Sequence, residues 1–206
     1  MPNGRIVVLN GVPRSGKSSI AAALQAREPG RWINLGVDHM RRATPASLQP
    51  GIGLRPGGER PDLEPHLPLL FAALYDSIAA HSRLGLDVVA DLGHHDAYSR
   101  SLGILEASAR RLEGLPAWLI GVVCPIEVIM ERRRADPAGY EAGPGIPAPV
   151  RRWQEAVHQP GIYDLTVDTS RSTADEAARQ ILDRLEQPPA AFATLAKGGH
   201  AVGVTS

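Results

Sequence analysis

Short apolar runs alternate with longer stretches of helical spacing along most of this chain. Ile6 to Leu9 is a continuous apolar run, the pattern of a strand buried on both faces. From Lys17 to Arg27, Ile20, Leu24 and several alanines predict a helix, stopped at Pro29-Gly30. Trp32 to Val37 predicts a second strand with Asp38 at its C-terminal end, followed by a short helix from His39 to Ala43. Leu70, Leu74 and Ile78 give a helix over Leu67 to Arg83, and Leu86 to Asp91 a third strand that again ends in an acid. A helix over Ala97 to Glu113 leads to a fourth strand, Ala117 to Val123. Pro125 suits a first helical turn, with helix continuing from Ile126 to Arg134. A further helix carries Arg151 and Arg152, and Tyr163 to Asp168 is the last strand. Ser172 or Thr173 caps a final helix reaching about Leu185. Five strands alternating with helices predict one parallel sheet covered on both faces.

Three stretches break the alternation. Residues 44 to 64 hold Pro45, Pro50, Pro56 and Pro61 with Gly51, Gly53, Gly57 and Gly58, and Pro65 follows. A loop of that length is uncommon in a compact domain unless it is functional or disordered, and a lid over an acceptor substrate is the reading favoured here. The second stretch, Asp136 to Pro149, is also rich in Pro and Gly. The third begins at Gln187, and residues 188 to 206 are expected to be a disordered tail beyond a domain of residues 1 to 187.

The first strand runs directly into Gly11-x-x-x-x-Gly16-Lys17-Ser18, the spacing of a phosphate-binding loop. Glycines let the backbone bend tightly and bring its N–H groups up to phosphate oxygens, and the following helix adds its free N–H groups. The nucleotide-binding set is therefore Gly11, Val12, Pro13, Arg14, Ser15, Gly16, Lys17, Ser18 and Ser19. Lys17 would reach the β- and γ-phosphates of a nucleoside triphosphate, and the Ser18 hydroxyl would ligate Mg²⁺. Only two lysines occur in the chain, Lys17 and Lys197, so a lysine at the required position is not noise of composition.

Candidate chemistry clusters at the predicted strand ends. Asp38 stands where it could take a proton from an acceptor hydroxyl, and Asp91 where it could hold Mg²⁺ through water; the alternative for each is a helix N-cap. His94 and His95 are candidate acceptor-site contacts or surface polar residues, and two adjacent histidines without a distant third ligand make a poor metal site. Glu131-Arg132-Arg133-Arg134, with Arg151 and Arg152, flank the second Pro/Gly-rich stretch and could fold over triphosphate; the alternative is a solvated basic helix end.

Composition narrows the classes. At 206 residues one domain is expected, and a net charge of zero argues against bulk binding to nucleic acid or membrane. The single cysteine, Cys124, reads as a small core residue at a strand end and fits a reducing cytoplasm. The N-terminus enters the first strand within a few residues, which leaves no room for a signal peptide, and no apolar run has the length of a membrane span.

Several segments together resemble the chloramphenicol phosphotransferase family of small P-loop kinases. They are Val8-Leu-Asn-Gly-Val-Pro-Arg-Ser-Gly-Lys-Ser18, Leu35-Gly-Val-Asp38, Val88-Val-Ala-Asp91, Val122-Val-Cys-Pro125 with its arginine-rich helix, and His158-x-x-Gly-Ile-Tyr-Asp-Leu-Thr-Val-Asp-Thr169. The likeness runs from about residue 5 to 186. It implies a P-loop NTPase fold of the nucleoside and shikimate kinase kind. It also implies ATP-dependent transfer of the γ-phosphoryl group to a hydroxyl of a small molecule, which in the family is an antibiotic. On that likeness Asp38 is the general base, and Arg132 to Arg134 loosely match the lid arginines, with Arg133 and Arg134 as catalytic candidates. The family's Arg-Gly-Asp-Arg turn is absent, and Asp136-Pro-Ala-Gly replaces it.

The leading reading is thus a small-molecule O-phosphotransferase using ATP and Mg²⁺ in the cytoplasm, with a role in antibiotic resistance or self-protection. A metabolite or nucleotide kinase is the alternative. A nucleotide-dependent binding module is a third, against which stands the lack of an Asn-Lys-x-Asp guanine-reading segment. Homo-oligomerisation is left open.

Overall fold

The computed structural model describes residues 2–28, 31–48, 55–57, 60–136 and 145–198. Five strands form one sheet: β1 (Ile6–Asn10), β2 (Trp32–Asn34), β3 (Asp87–Leu92), β4 (Ala117–Val123) and β5 (Leu165–Asp168). All pairings are parallel and the strand order is β2-β3-β1-β4-β5. The helices are α1 (Lys17–Arg27), α2 (Val37–Ala43), α3 (Leu67–Arg83), α4 (Ile104–Arg111), α5 (Ile126–Ala135), α6 (Ala148–Ala156), α7 (Ala174–Arg184) and α8 (Ala191–Ala196).

The burial of β1 follows from its apolar run, because successive side chains of a strand alternate between faces. Ile6 and Val8 enter one core with Leu74, Tyr75 and Ile78 of α3 and Ala109 of α4. Val7 and Leu9 enter the other with Ile20 and Leu24 of α1 and Ala177 and Ile181 of α7. With every strand parallel, all five C-terminal ends lie along one edge. β1 sits between β3 and β4, so the chain leaves it where the strand order reverses, the place where open α/β sheets bind ligands.

Four expectations need correction. The second strand ends at Asn34, where the Asn34 Oδ1 accepts from the Gly36 amide at 3.0 Å and turns the chain into α2. Asp38 is therefore the second residue of that helix, not a strand end or an N-cap. The helix expected from Ala97 begins only at Ile104: Asp96 Oδ1 accepts from the amides of Leu102 at 2.7 Å and Gly103 at 3.2 Å, which folds that stretch as a turn.

The chain beyond Gln187 is ordered through Gly198. Ala191, Phe192 and Leu195 of α8 are buried in the α3–α4 core, with the Phe192 ring edge-on to Tyr75 at 6.5 Å. The fully buried Asp164 carboxylate anchors the helix, accepting from Ala190 N at 2.7 Å, Ala191 N at 3.2 Å and Leu119 N at 2.9 Å while Arg184 pairs with it at 3.2 Å. Residues 199–206 of the expected tail, and 49–54, 58–59 and 137–144 of the two Pro/Gly-rich stretches, lie outside the described residues.

Candidate active site

The loop after β1 is shaped by contacts that only small groups allow. A Cβ on Gly11 would lie 2.7 Å from Ser15 Oγ and collide with the Val122 carbonyl oxygen. Gly16 sits in the left-handed region with φ 96°, where β-carbons are disfavoured, and α1 begins at the next residue. Gly11 N donates to Leu92 O at 3.3 Å and Ser15 N to Val12 O at 3.2 Å. A second clamp comes from α5: Arg132 Nη1 donates to Arg14 O and Thr169 Oγ1, both at 3.1 Å, and its Nη2 to Thr169 O at 2.7 Å. Thr169 Oγ1 in turn donates to Ser15 O at 2.7 Å. Arg132 therefore ties the loop to the end of β5.

Lys17 curls back into the loop, its Nζ donating to Gly11 O and Val12 O at 2.8 Å each. Burial pushes its pKa down to about 8, against the opposing pull of the Asp91 and Asp38 carboxylates. Ser18 Oγ donates to Asp91 Oδ2 at 2.6 Å, so the hydroxyl and the acid expected to hold Mg²⁺ meet across α1 and β3. Mg²⁺ takes one or two protein carboxylate or hydroxyl oxygens and completes its shell with water and phosphate, and this pair fits that demand. Among the described residues no three His, Cys, Asp or Glu side chains converge as a metal cluster.

A cleft of about 1830 Å³ opens over this loop, larger than the usual pocket for a single small ligand. Gly11 to Ser19 line it with the exception of the buried Ser15, joined by Asp38, Asp91, His95, Arg132 and Arg133. Asp38 is well exposed there and its Oδ1 lies 3.5 Å from Arg41. Phe71, Tyr98 and Trp153 also line the cleft, with His95 packed between Tyr98 at 4.3 Å and Trp153 at 5.0 Å between ring centroids.

Two sequence candidates fall elsewhere. His94 points into the core, its Nε2 2.7 Å from the Tyr75 hydroxyl and its amide donating to Asn10 Oδ1 at 2.6 Å. Burial pushes its pKa down to about 3, and neighbouring His95 adds to the fall, so it is a neutral core group. Of the two adjacent histidines only His95 lines the cleft. Arg134 lies on the exposed side of α5 and does not line the cleft, whereas Arg133 does.

A residue overlooked in the sequence is Asn10, the last of β1. Its Nδ2 donates to Val157 O and to the Tyr163 hydroxyl, both at 2.9 Å, while its Oδ1 holds His94. One buried amide thus joins the root of the phosphate loop to the start of β5 and to the segment carrying His95. A polar residue closing an apolar run was the available signal.

Residues 4–186 match the family model described as chloramphenicol phosphotransferase-like protein. The chain belongs to that family. Among curated proteins, one from Mycobacterium tuberculosis named "Putative O-phosphotransferase" is 28% identical over 203 residues, covering 92% of this chain and 85% of its own length. Two solved structures share the fold. The APS kinase of M. tuberculosis in complex with AMPPNP and APS has a TM-score of 0.58 at 18% identity, covering 91% of this chain and 100% of its own. Shikimate kinase from Acinetobacter baumannii in complex with shikimate has a TM-score of 0.59 at 15% identity, covering 87% and 92%.

Membership of the chloramphenicol phosphotransferase-like family makes this chain a P-loop phosphotransferase of the kinase class. Within that class the cleft reads as two halves, a phosphate loop at the end of β1 and an aromatic wall beyond Asp38. No helix among the described residues is long and apolar enough to cross a membrane.

Proposed function

We propose that the protein transfers the γ-phosphoryl group of ATP to a hydroxyl of a small molecule, an antibiotic or related natural product, in the cytoplasm. The observation that carries this reading is that Asp38 and Lys17 line one cleft, close enough for the carboxylate to act on the lysine's charge. A phosphoryl transfer needs positioned phosphates, neutralised charge and a group to take the hydroxyl proton. Lys17 leaves its two carbonyl partners for the β- and γ-phosphates, whose negative charge outweighs those two dipoles. Ser18 and Asp91, paired at 2.6 Å, would hold Mg²⁺, which would supply neutralising positive charge beside the phosphates. To Arg133, one of the arginines that line the cleft, we assign the stabilisation of charge during transfer.

The acceptor oxygen attacks the γ-phosphorus, its proton passes to the Asp38 carboxylate, and the bond to the bridging oxygen breaks to release ADP. The wall of Phe71, Tyr98 and Trp153 offers flat apolar surface to an acceptor, which suits a natural product better than a highly charged metabolite. Resistance or self-protection is the corresponding role. The test is ADP release from ATP and Mg²⁺ across a panel of hydroxylated antibiotics, nucleosides and hydroxy acids. Stimulation by an antibiotic, with phosphate found on its hydroxyl, is expected; stimulation confined to nucleosides or hydroxy acids would overturn the substrate class.

A further inference from the structure

Gly36 immediately precedes α2, two residues before Asp38, and its backbone has φ −66° and ψ 177°. Any residue adopts those angles, so no dihedral demand explains a glycine here. The demand is steric. A Cβ at position 36 would lie 2.8 Å from Asp91 Cγ and 3.0 Å from Asp91 N, and would coincide with the carboxylate oxygen Oδ1. Asp91 is thus gripped from two sides, with Oδ1 against the Gly36 backbone and Oδ2 accepting from Ser18 Oγ at 2.6 Å. It is buried, and β3 is hydrogen-bonded to β1 and β2 on either side, so the acid has little room to retreat.

We infer that Gly36 is a positioning residue for metal binding: by presenting bare backbone to Asp91, it sets the carboxylate rotamer that meets Ser18. The same residue starts the helix that carries Asp38. One glycine therefore sets the spacing between the metal-side acid and the acceptor-side acid. The inference rests on the reading of Asp91 as a metal-holding acid.

The experiment compares wild type, Gly36→Ala, Asp91→Ala and the double variant, reading two quantities that need no acceptor. The first is ADP affinity with Mg²⁺ against ADP affinity in EDTA, by calorimetry. Gly36→Ala should cut the tightening given by Mg²⁺ by about tenfold or more, the usual cost of removing support from a metal ligand, with ADP affinity in EDTA unchanged. The second is melting temperature. Gly36→Ala should lower it clearly in wild type and much less in the Asp91→Ala background, where the obstructing carboxylate is gone. If the single variant does not fold and the double does, the steric claim stands. Equal losses in both backgrounds, failure of both to fold, or an unchanged Mg²⁺ effect in Gly36→Ala would overturn the inference. An unchanged Mg²⁺ effect in Asp91→Ala would overturn the metal reading of Asp91 itself, and the melting comparison would then decide the steric claim alone.

Discussion

The two halves of the cleft are held by different means. On the phosphate side, backbone does most of the holding: Gly11 packs under the Val122 carbonyl, Arg132 grips Arg14 O and Thr169, and Lys17 rests on two loop carbonyls. On the acceptor side, side chains of distant segments meet: Phe71 from α3, Tyr98 and His95 from the segment after β3, Trp153 from α6. That wall is braced by the buried Glu64, which accepts from Ser99 N at 3.0 Å and from the Ser99 hydroxyl, and by Gly57 N donating to Ala97 O at 2.6 Å. A group common to every nucleotide is met by fixed backbone geometry, which tolerates little substitution. In the proposed reaction a variable acceptor would be met by side chains, which can change without unfolding the loop.

The contrast breaks first at Lys17. Replacement by alanine removes the one lysine beside the phosphates, and transfer should fall by about 10³-fold, with little change in melting temperature. Substantial turnover in folded Lys17→Ala would return the phosphate side to a plain strand–helix turn.

The next effect is on stability and lies outside both halves. Truncation after Gln187 removes Phe192 and Leu195 and exposes the Tyr75 side of the core. Phe192→Ala alone should cost about 3 kcal/mol. The truncation should cost at least as much, lowering the melting temperature by roughly 10 °C at about 2–4 °C per kcal/mol for a domain of this size. Thermal unfolding checks both, and an unmoved transition would show that α8 adds nothing to the core.

A smaller effect sharpens the phosphate side. The Lys17 pKa near 8 lies below the lysine reference of 10.5. The charged form is thus disfavoured in the free fold, a penalty present in full below pH 8 and relieved as pH rises toward 10.5. ATP needs the charged form, so its affinity should fall above pH 8, by up to about tenfold per pH unit, with proton uptake on binding. Calorimetry in buffers of different ionisation enthalpy reads that uptake. Lys17→Arg should abolish it, because arginine stays charged throughout.

How much of this was legible in the sequence depends on the range of the interactions concerned. β4 is bounded where it was expected, since an apolar run between Pro116 and Cys124-Pro125 carries its own limits. α3 likewise spans Leu67–Arg83 because its apolar spacing is local. The turn at 96–103 was hidden because one carboxylate, Asp96, diverts amides six and seven residues away from helix. α8 was hidden because its three buried apolar residues make a weak pattern, and its anchor, Asp164, lies 27 residues before Ala191. Of the site, the loop residues and the meeting of Ser18 with Asp91 followed from motif chemistry. The inward turn of His94, the structural duty of Arg132 and the hub at Asn10 depend on long-range packing that no spacing rule encodes.

In the proposed reaction the acceptor half works through Asp38. Asp38→Asn keeps the shape of the side chain and its hydrogen bonding but removes the base. The residue is exposed and the N-cap of its helix is Gly36, so the fold and ATP affinity should change little. With an acceptor found in the panel, the direct measurement is turnover and ATP affinity of Asp38→Asn beside wild type. A fall in kcat of about 10²-fold or more is expected, at unchanged ATP affinity and melting temperature. Near-native turnover in the variant would contradict it and remove Asp38 from the reaction.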